Sequence, residues 1–414
     1  MISRRQSLGA LAAAPFGALA WPAAALPADT PAAEPAWVAP SPRGNFKISG
    51  TYINAAYTHP LPLDAGAALR EFVARRCDPG LPRKRGDDAK ALFATLINAA
   101  SPDAIAGTPS TSYGESFVIG ALGLEGDRSA GIVTDILHFD GSLYAYGELA
   151  KLGSPLTILP MTPDGRIDMN RLADAVKPGT RLVSISLVSM VNGFEHDLKT
   201  VCDIAHKQGA YVYVDAIQGA GAVPIDVQAS GVDFLSCSTF KWLMGDFGCG
   251  FLYVRPDLIP KLKRTEFGYH QPKDLAYHAF PGDKPGPVLF EAEPNDTTAA
   301  GRFEVGSTGE GAEAAAAVSL KNLLAWGVPN LQAARQPLMD RLYDKLSAHY
   351  QPMTPKGSRS SIIAFSLIGA RDKLRSRITE ARINIQLYPN RFRISPSVYN
   401  TPEDIDRLIG VLTA

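Results

Sequence analysis

The 414-residue chain lacks an excess of either charge, a cluster of metal-type ligands and, beyond its N-terminus, a membrane-spanning apolar run. Basic and acidic residues number 41 each and no Lys/Arg-rich run stands out, which argues against a nucleic-acid or anionic membrane partner. The four cysteines and seven histidines are scattered without zinc-site or disulfide-framework spacing, so we predict no metal. Small-molecule chemistry is the function class that these absences leave.

The N-terminus has the features of an export signal. Arg4 and Arg5 lie in "SRRQSLG", which resembles the twin-arginine signal, and a modestly apolar Ala/Leu stretch follows. We assign residues 1–28 to this signal and the Pro/Ala-rich residues 29–47 to a linker. The interpretation predicts a periplasmic protein that engages the twin-arginine export machinery.

Strand-like and helix-like segments alternate after residue 100. "RLVSISLVSM" (181–190) is typical of a buried strand, and "DLKTVCDIAHKQG" (197–209) of a helix with one apolar stripe. Such alternation favours an α/β sheet, mainly parallel and covered on both faces. A Pro/Gly-rich and charged stretch (270–296) indicates a boundary before a smaller C-terminal domain.

Two charged residues stand where burial is expected. Asp215 ends the apolar strand "YVYVD", and ligands of open α/β sheets bind at the carboxyl ends of strands. A buried carboxylate needs a cationic partner, such as a protonated pyridine nitrogen. Lys241 lies in a run of small and apolar residues, where burial would lower its pKa and free the amine for Schiff-base formation. Pyridoxal phosphate requires both groups, although a structural salt bridge between the two residues would also explain the pattern.

The block "VDAIQGAGAVPIDVQASGVDFLSCSTFKWLMGDFGCGFLYVR" resembles the fold-type I, class V aminotransferase superfamily of pyridoxal-phosphate enzymes, which includes cysteine desulfurases, kynureninases and isopenicillin-epimerase-like proteins. The resemblance implies an N-terminal arm and large domain over 48–295, with a mainly parallel seven-stranded sheet, and a smaller α+β domain over 296–414. It makes Lys241 the Schiff-base lysine, Asp215 the partner of the pyridine nitrogen, and Gln218 the group near the ring hydroxyl.

The same resemblance indicates a phosphate site. Ser110, Thr111 and Ser112 precede a helical run, and helix N-termini with hydroxyl groups suit a phosphate, although a plain N-cap would look the same. Ser238, in an "SxxK" arrangement with Lys241, corresponds to the usual second phosphate contact. "FDGSLY" (139–144) is similar to the kynureninase segment whose Phe stacks on the pyridine ring, which makes Phe139 the candidate for stacking unless it is an ordinary core residue.

Two further segments resemble family signatures. "RFEVGSTGEGAEAA" (302–315) is similar to a segment that carries a hydroxyl into the partner subunit's phosphate site, so Ser307 implies a homodimer with shared active sites; a simple helix N-cap is the alternative. "NRFRISPSVYNT" resembles the signature whose Arg binds the amino-acid carboxylate, which assigns that role to Arg393. Arg391 shares a strand face with Arg393 and is either a side-chain selector or a surface charge. Asn192 is a further substrate-binding candidate, displaced from the family position.

The resemblance implies an enzyme that acts on the amino group of an α-amino acid or of a metabolite that carries one. A transaminase is the first hypothesis, and a lyase or hydrolase of kynureninase or C–S lyase type, or an epimerase, is the alternative. Cysteine desulfurases of this superfamily carry a mobile cysteine in the C-terminal domain. The last cysteine of this chain is Cys249, before that domain, so desulfurase activity is not expected. A non-catalytic binding protein is the hypothesis from another class.

Overall fold

A computed structural model describes residues 43–79 and 87–414 of the chain. The predicted export signal (1–28) and most of the predicted linker (29–47) lie outside these residues. None of the helices in the described ranges is both long and apolar enough to cross a membrane.

The described residues form twelve α-helices, which in chain order are α1 Leu63–Arg75, α2 Asp87–Leu96, α3 Thr111–Ala121, α4 Asp140–Lys151, α5 Met169–Ala175, α6 Leu198–Lys207, α7 Val227–Ser230, α8 Ala299–Phe303, α9 Glu310–Trp326, α10 Val328–Leu346, α11 Ala370–Glu380 and α12 Pro402–Thr413. The predicted helix at 197–209 corresponds to α6. The last helix begins at Pro402 behind the Thr401 N-cap.

The same ranges contain fifteen strands: β1 Thr51–Tyr52, β2 Ile105–Thr108, β3 Gly131–Asp135, β4 Leu156–Leu159, β5 Thr180–Ser186, β6 Tyr211–Asp215, β7 Phe234–Ser238, β8 Gly250–Val254, β9 Asp274–Tyr277, β10 Phe290–Glu293, β11 Gln351–Pro352, β12 Ile363–Ser366, β13 Ile383–Asn384, β14 Gln386–Leu387 and β15 Arg391–Ile394.

The central sheet has seven strands in the order β2-β8-β7-β6-β5-β3-β4, and β8 alone runs against the others. The predicted mainly parallel α/β sheet is therefore confirmed. β6, β7 and β8 are buried along almost their whole length. Because helices cover both faces of the sheet, these strands need not alternate between apolar and polar residues.

The parallel strands place their carboxyl ends at one edge of the sheet. Ser186 of β5 pairs with Asp215 of β6, which in turn pairs with Ser236 of β7. The chain leaves β7 at Ser238 and reaches Lys241 three residues later. Asp215 and Lys241 therefore follow neighbouring strands at the ligand-binding edge of the sheet.

A second, four-stranded antiparallel sheet, in the order β11-β12-β15-β14, forms the C-terminal part of the fold. Phe365 of β12 and Phe392 of β15 stack with their ring centroids 5.5 Å apart inside a separate apolar cluster. The opposite face of β15 carries Arg391 and Arg393. The domain boundary at residues 295 and 296 stays a prediction.

The segment that precedes α1 joins the two sheets. Ile53 accepts a backbone hydrogen bond from Ser395, just after β15, and Ala55 donates one back to Ser395. Further along the segment, the His59 amide donates to the carbonyl of Phe240, the neighbour of Lys241. This arm, residues 53–60, therefore ties the strand of Arg393 to the turn that carries Lys241.

Candidate cofactor-binding and active site

Asp215 is a buried carboxylate, with 3% of the residue exposed. Its Oδ1 accepts a hydrogen bond of 2.9 Å from the Ile217 amide. Burial raises the pKa of Asp215, and the nearby His138 opposes this shift. The carboxylate would gain most from a cationic ligand placed against it.

Lys241 is half-buried in the turn that follows β7. Burial lowers its pKa to about 8 from the usual 10.5; the Asp215 carboxylate opposes the shift and the Arg393 guanidinium adds to it. Within the described part of the chain, no ion pair joins Lys241 to Asp215. The arrangement does not support a structural salt bridge, and a substantial fraction of the amine is neutral near pH 8.

The Gln218 amide is fixed between the arm and the lysine turn. Its Oε1 accepts a hydrogen bond of 2.9 Å from the Trp242 indole, and its Nε2 donates one of 2.9 Å to the Ala56 carbonyl. One N–H of the amide is left for a ligand. This is compatible with the predicted place near a ring hydroxyl.

The predicted phosphate residues come together at the N-terminus of α3. The Thr111 amide donates to Ser238 Oγ (2.7 Å), and the Ser238 amide donates to Thr111 Oγ1 (2.9 Å). Ser110 caps the helix by accepting from the Tyr113 amide. Ser112 is exposed, and neither its amide nor its hydroxyl has a partner among the residues that the structure describes. An 11-residue helix with free donors at its first turn suits a phosphate.

The two sequence neighbours of Phe139 affect the pKa values of Asp215 and Lys241. Phe139 follows His138, which affects the pKa of Asp215, and precedes Asp140, which affects that of Lys241. A Cβ at Gly141 would lie 2.4 Å from the Phe139 ring, so this glycine lets the ring lie against the start of α4. Phe139 is half-buried and available for stacking, whereas the neighbouring His138 is fully enclosed.

A buried polar network beneath Asp215 was missed from the sequence. The two ring nitrogens of His138 bond to Ser186 Oγ (2.8 Å) and Ser184 Oγ (2.9 Å), and Nε2 lies 3.7 Å from the Glu115 carboxylate. Burial alone would lower the pKa of His138, but the carboxylates of Glu115, Asp215 and Asp135 together outweigh it and the pKa is raised. The Glu115 carboxylate also accepts hydrogen bonds of 2.6 Å from Ser142 and Tyr146. These residues are far apart in the chain, so no local pattern indicates the network.

Arg393 is buried, with 2% of the residue exposed. Its Nη1 donates a hydrogen bond of 3.0 Å to the Met190 carbonyl. Its buried Nε has no hydrogen-bond partner in the described ranges. Burial lowers the pKa of Arg393. A buried guanidinium with an unused donor is what a substrate carboxylate would complete.

The hydrogen bonds of Asn192 do not support its predicted role in substrate binding. Its Nδ2 donates to the carbonyls of Gly165 (2.7 Å) and Met353 (3.2 Å), and its Oδ1 accepts from the Phe194 amide (3.0 Å). Both amide hydrogens are used by backbone carbonyls. We therefore correct the assignment: Asn192 fixes a buried turn.

Ser307 is exposed in the loop before α9, where its Oγ lies 2.8 Å from the Tyr269 hydroxyl. No hydrogen bond of the described residues joins it to Ser238 or Lys241 of its own chain. Its predicted role in a partner subunit stays a prediction. Among the residues that the structure covers, no group of three His, Cys, Asp or Glu side chains could hold a metal ion.

The arm also contributes contacts that were not predicted. Ala56 and Phe240 take part through backbone carbonyls, which leave no signature in residue type. Asn54 Nδ2 donates a hydrogen bond of 3.0 Å to Asn384 Oδ1 in β13. The arm therefore contacts both Gln218 and the turn that carries Lys241.

These residues fit pyridoxal phosphate. Asp215 would hold the pyridine nitrogen, Lys241 the aldehyde, the first turn of α3 with Ser238 the phosphate, and Phe139 a ring face. The free donors of Ser112 and the unpaired Nε of Arg393 are groups that an anionic cofactor and its substrate would satisfy.

The lysine predicts a pH dependence. The neutral amine is the nucleophile, so the rate at which apoprotein captures pyridoxal phosphate should rise with pH around a midpoint near 8. Stopped-flow measurement of the visible band tests this. In Asp215→Asn the midpoint should fall further, because the opposing carboxylate charge is gone. A midpoint near the ordinary 10.5 of lysine would contradict the predicted environment.

Comparison with known proteins identifies a family and related chains. A family model described as "Aminotransferase class-V" matches residues 83–408. A cysteine desulfurase of Klebsiella pneumoniae subsp. pneumoniae is 28% identical over 341 residues, which cover 77% of this chain and 79% of the relative. A cysteine desulfurase of Escherichia coli O8 is 28% identical over 332 residues, which cover 76% and 78%.

Solved structures share the fold. The Escherichia coli cysteine desulfurase CsdA superimposes with a TM-score of 0.78 at 20% identity, covering 90% of this chain and 96% of that one. The cystine C-S lyase C-DES, in complex with cysteine persulfide, gives 0.76 at 19% identity, covering 88% and 97%. Since the family model spans most of the sequence, the chain belongs to the aminotransferase class-V family of pyridoxal-phosphate-dependent enzymes.

Proposed function

We propose that the protein is an exported enzyme of aminotransferase type, which uses pyridoxal phosphate to act on the amino group of an α-amino acid or of a metabolite that carries one. The observation that carries this proposal is the unpaired, buried Nε of Arg393 near a lysine with a pKa of about 8. The first group recognises a carboxylate, and the second can act as an amine nucleophile and as a base. An α-amino acid meets both requirements.

The roles of the side chains follow from their chemistry. Pyridoxal phosphate, when bound, withdraws electrons from the α-carbon of an attached amino acid and makes its bonds labile. Asp215 would hold the ring nitrogen in its protonated form, because a carboxylate there favours the protonated pyridine. Arg393 holds the substrate carboxylate and so fixes which α-bond faces the reacting groups. The Lys241 amine would be the base that takes and returns the α-proton.

A lyase of C–S type is the second candidate. It is favoured by the relatives, which are named cysteine desulfurases, and by the likeness to a cystine C-S lyase. Desulfurase activity in the strict sense, which the names of these relatives suggest, is less favoured here, because the last cysteine, Cys249, is buried and burial raises its pKa. An epimerase shares the same carbanion chemistry. A binding protein is least favoured, since Lys241, Asp215 and Arg393 are all present.

Amino-acid turnover tests the proposal. Mixed with an amino acid alone, the purified holoprotein should convert its cofactor stoichiometrically to the amine form, and an added keto acid should take up the amino group and restore the aldehyde form. Arg393→Ala should raise the KM by about ten- to a hundredfold, from the loss of a charged hydrogen bond. Ammonia or a cleaved fragment without that conversion would favour the lyase. A holoprotein that reacts with no amino acid would contradict both enzyme hypotheses.

A homodimer is part of the proposal. Ser307 is exposed and lies against Tyr269 instead of the phosphate residues of its own chain, which supports a role in a partner's site. The adjacent hairpin of β9 and β10 carries exposed apolar side chains, including Tyr277, Leu289 and Phe290. An isolated two-stranded hairpin gains little stability alone, so a covering surface would be favourable.

Export to the periplasm is proposed from Arg4 and Arg5, and twin-arginine transport suits an enzyme that folds around its cofactor before export. In a bacterium with this pathway, the double substitution Arg4→Lys, Arg5→Lys should retain the protein as cytoplasmic precursor. Immunoblots of periplasmic and cytoplasmic fractions measure this. The double substitution Arg371→Lys, Arg375→Lys on the exposed side of α11 is the matched control. Unchanged periplasmic recovery of the Arg4/Arg5 variant would overturn the export proposal.

A further inference from the structure

A second arginine lies beside the expected carboxylate site. Arg391 and Arg393 are two apart on β15, so their side chains leave the same face of the strand. In the neighbouring strands, Ser366 pairs with Arg391, while Ala364 and Gln386 pair with Arg393. The two arginines therefore stand opposite neutral residues, and none of these paired positions holds a carboxylate.

Neither arginine has an acidic partner within the described part of the chain. No ion pair joins Arg391 or Arg393 to an Asp or Glu of those residues, and both Nε atoms are buried there without a hydrogen-bond partner. The Arg391 guanidinium lies over the Tyr388 ring, 4.1 Å from its centroid. That contact orients the side chain and leaves its N–H groups unused.

The two like charges also act on each other. Arg391 is close enough to contribute to the lowered pKa of Arg393, after the larger effect of burial. The groups that oppose this shift are the hydroxyls of Tyr388 and Tyr52, neither of which is a carboxylate. Two adjacent guanidinium groups with unpaired donors are unfavourable unless anions accompany them. Such a pair is therefore arranged for a ligand that brings negative charge to both positions.

We propose that Arg391 binds a second, distal carboxylate, so that the substrate is an amino acid or amino-acid-bearing metabolite with a further carboxylate on its side chain. Arg393 holds the α-carboxylate and Arg391 selects the side chain. Successive strand residues advance about 3.3 Å, so the two Cα atoms lie roughly 7 Å apart, comparable with the span of a short dicarboxylate. This inference rests on the proposed function, since it names the substrate class of the same site.

Binding of achiral acids tests the inference directly. Calorimetry with holoprotein would compare succinate and glutarate with the monocarboxylate butyrate. The wild type should bind the better dicarboxylate at least tenfold more tightly than butyrate. Arg391→Gln should weaken that dicarboxylate about ten- to a hundredfold and leave butyrate unchanged. Arg391→Lys should retain part of the preference, and the exposed Arg375→Gln, which removes the same charge from α11, should change neither.

Other results would overturn the inference. Equal weakening of butyrate and dicarboxylate by Arg391→Gln would mean that both arginines hold one carboxylate. No change in either acid would make Arg391 a surface charge. Circular dichroism and the visible cofactor band must match the wild type in each variant, and Arg391→Lys provides the second test if Arg391→Gln does not fold.

Turnover separates this inference from the proposed function. If the wild type converts neutral amino acids and shows no preference for aspartate or glutamate, the inference fails and the proposed function stands. If no amino acid of either kind reacts, both fail.

Discussion

Burial of ionisable groups at one edge of a parallel sheet is the constraint on which the rest of this structure depends. Asp215 and Lys241 follow neighbouring strands there, and burial moves their pKa values in opposite directions, each towards the neutral form. The two side chains form no ion pair with each other that would offset the cost of burying their charges. A ligand with a basic ring nitrogen at one end and an aldehyde at the other would satisfy both, which is why the two residues together indicate a cofactor site.

The surrounding structure holds these groups apart and in place. Below Asp215, Glu115 and His138 form an almost fully satisfied network with serine and tyrosine hydroxyls. Beside Lys241, the Trp242 indole holds Gln218, which in turn holds the arm at Ala56. Such networks fix side-chain geometry, because each member would lose its partners if the site relaxed. The arm then continues to the strand of Arg393, so one connected set of contacts positions cofactor and substrate groups.

The central part of this site could be predicted from the sequence for a physical reason. Asp215 and Lys241 stand in apolar surroundings, and Ser238 is three residues before the lysine, so local pattern and family resemblance identify them. Asn192 shows where that reasoning stops: the family resemblance suggested a ligand although Asn192 is displaced from the family position, and the backbone carbonyls of Gly165 and Met353 use its amide. The arm contacts the site through backbone carbonyls, which any residue type can supply. The contact between Glu115 and His138 forms only because the sheet brings distant segments of the chain together. Neither kind of contact can be predicted from the composition of the chain or from the periodicity of its apolar residues.

Borohydride reduction of the holoprotein, followed by peptide mapping, tests the central claim most directly. We expect one pyridoxyl group, on Lys241 alone, in the peptide that contains the turn after β7. Substitution of Asp215 by Asn should preserve this modification while the amino-acid reaction is lost, because the carboxylate acts at the other end of the ring. Modification of another lysine, or no stable modification at all, would contradict the assignment of Lys241 and Asp215 to one cofactor.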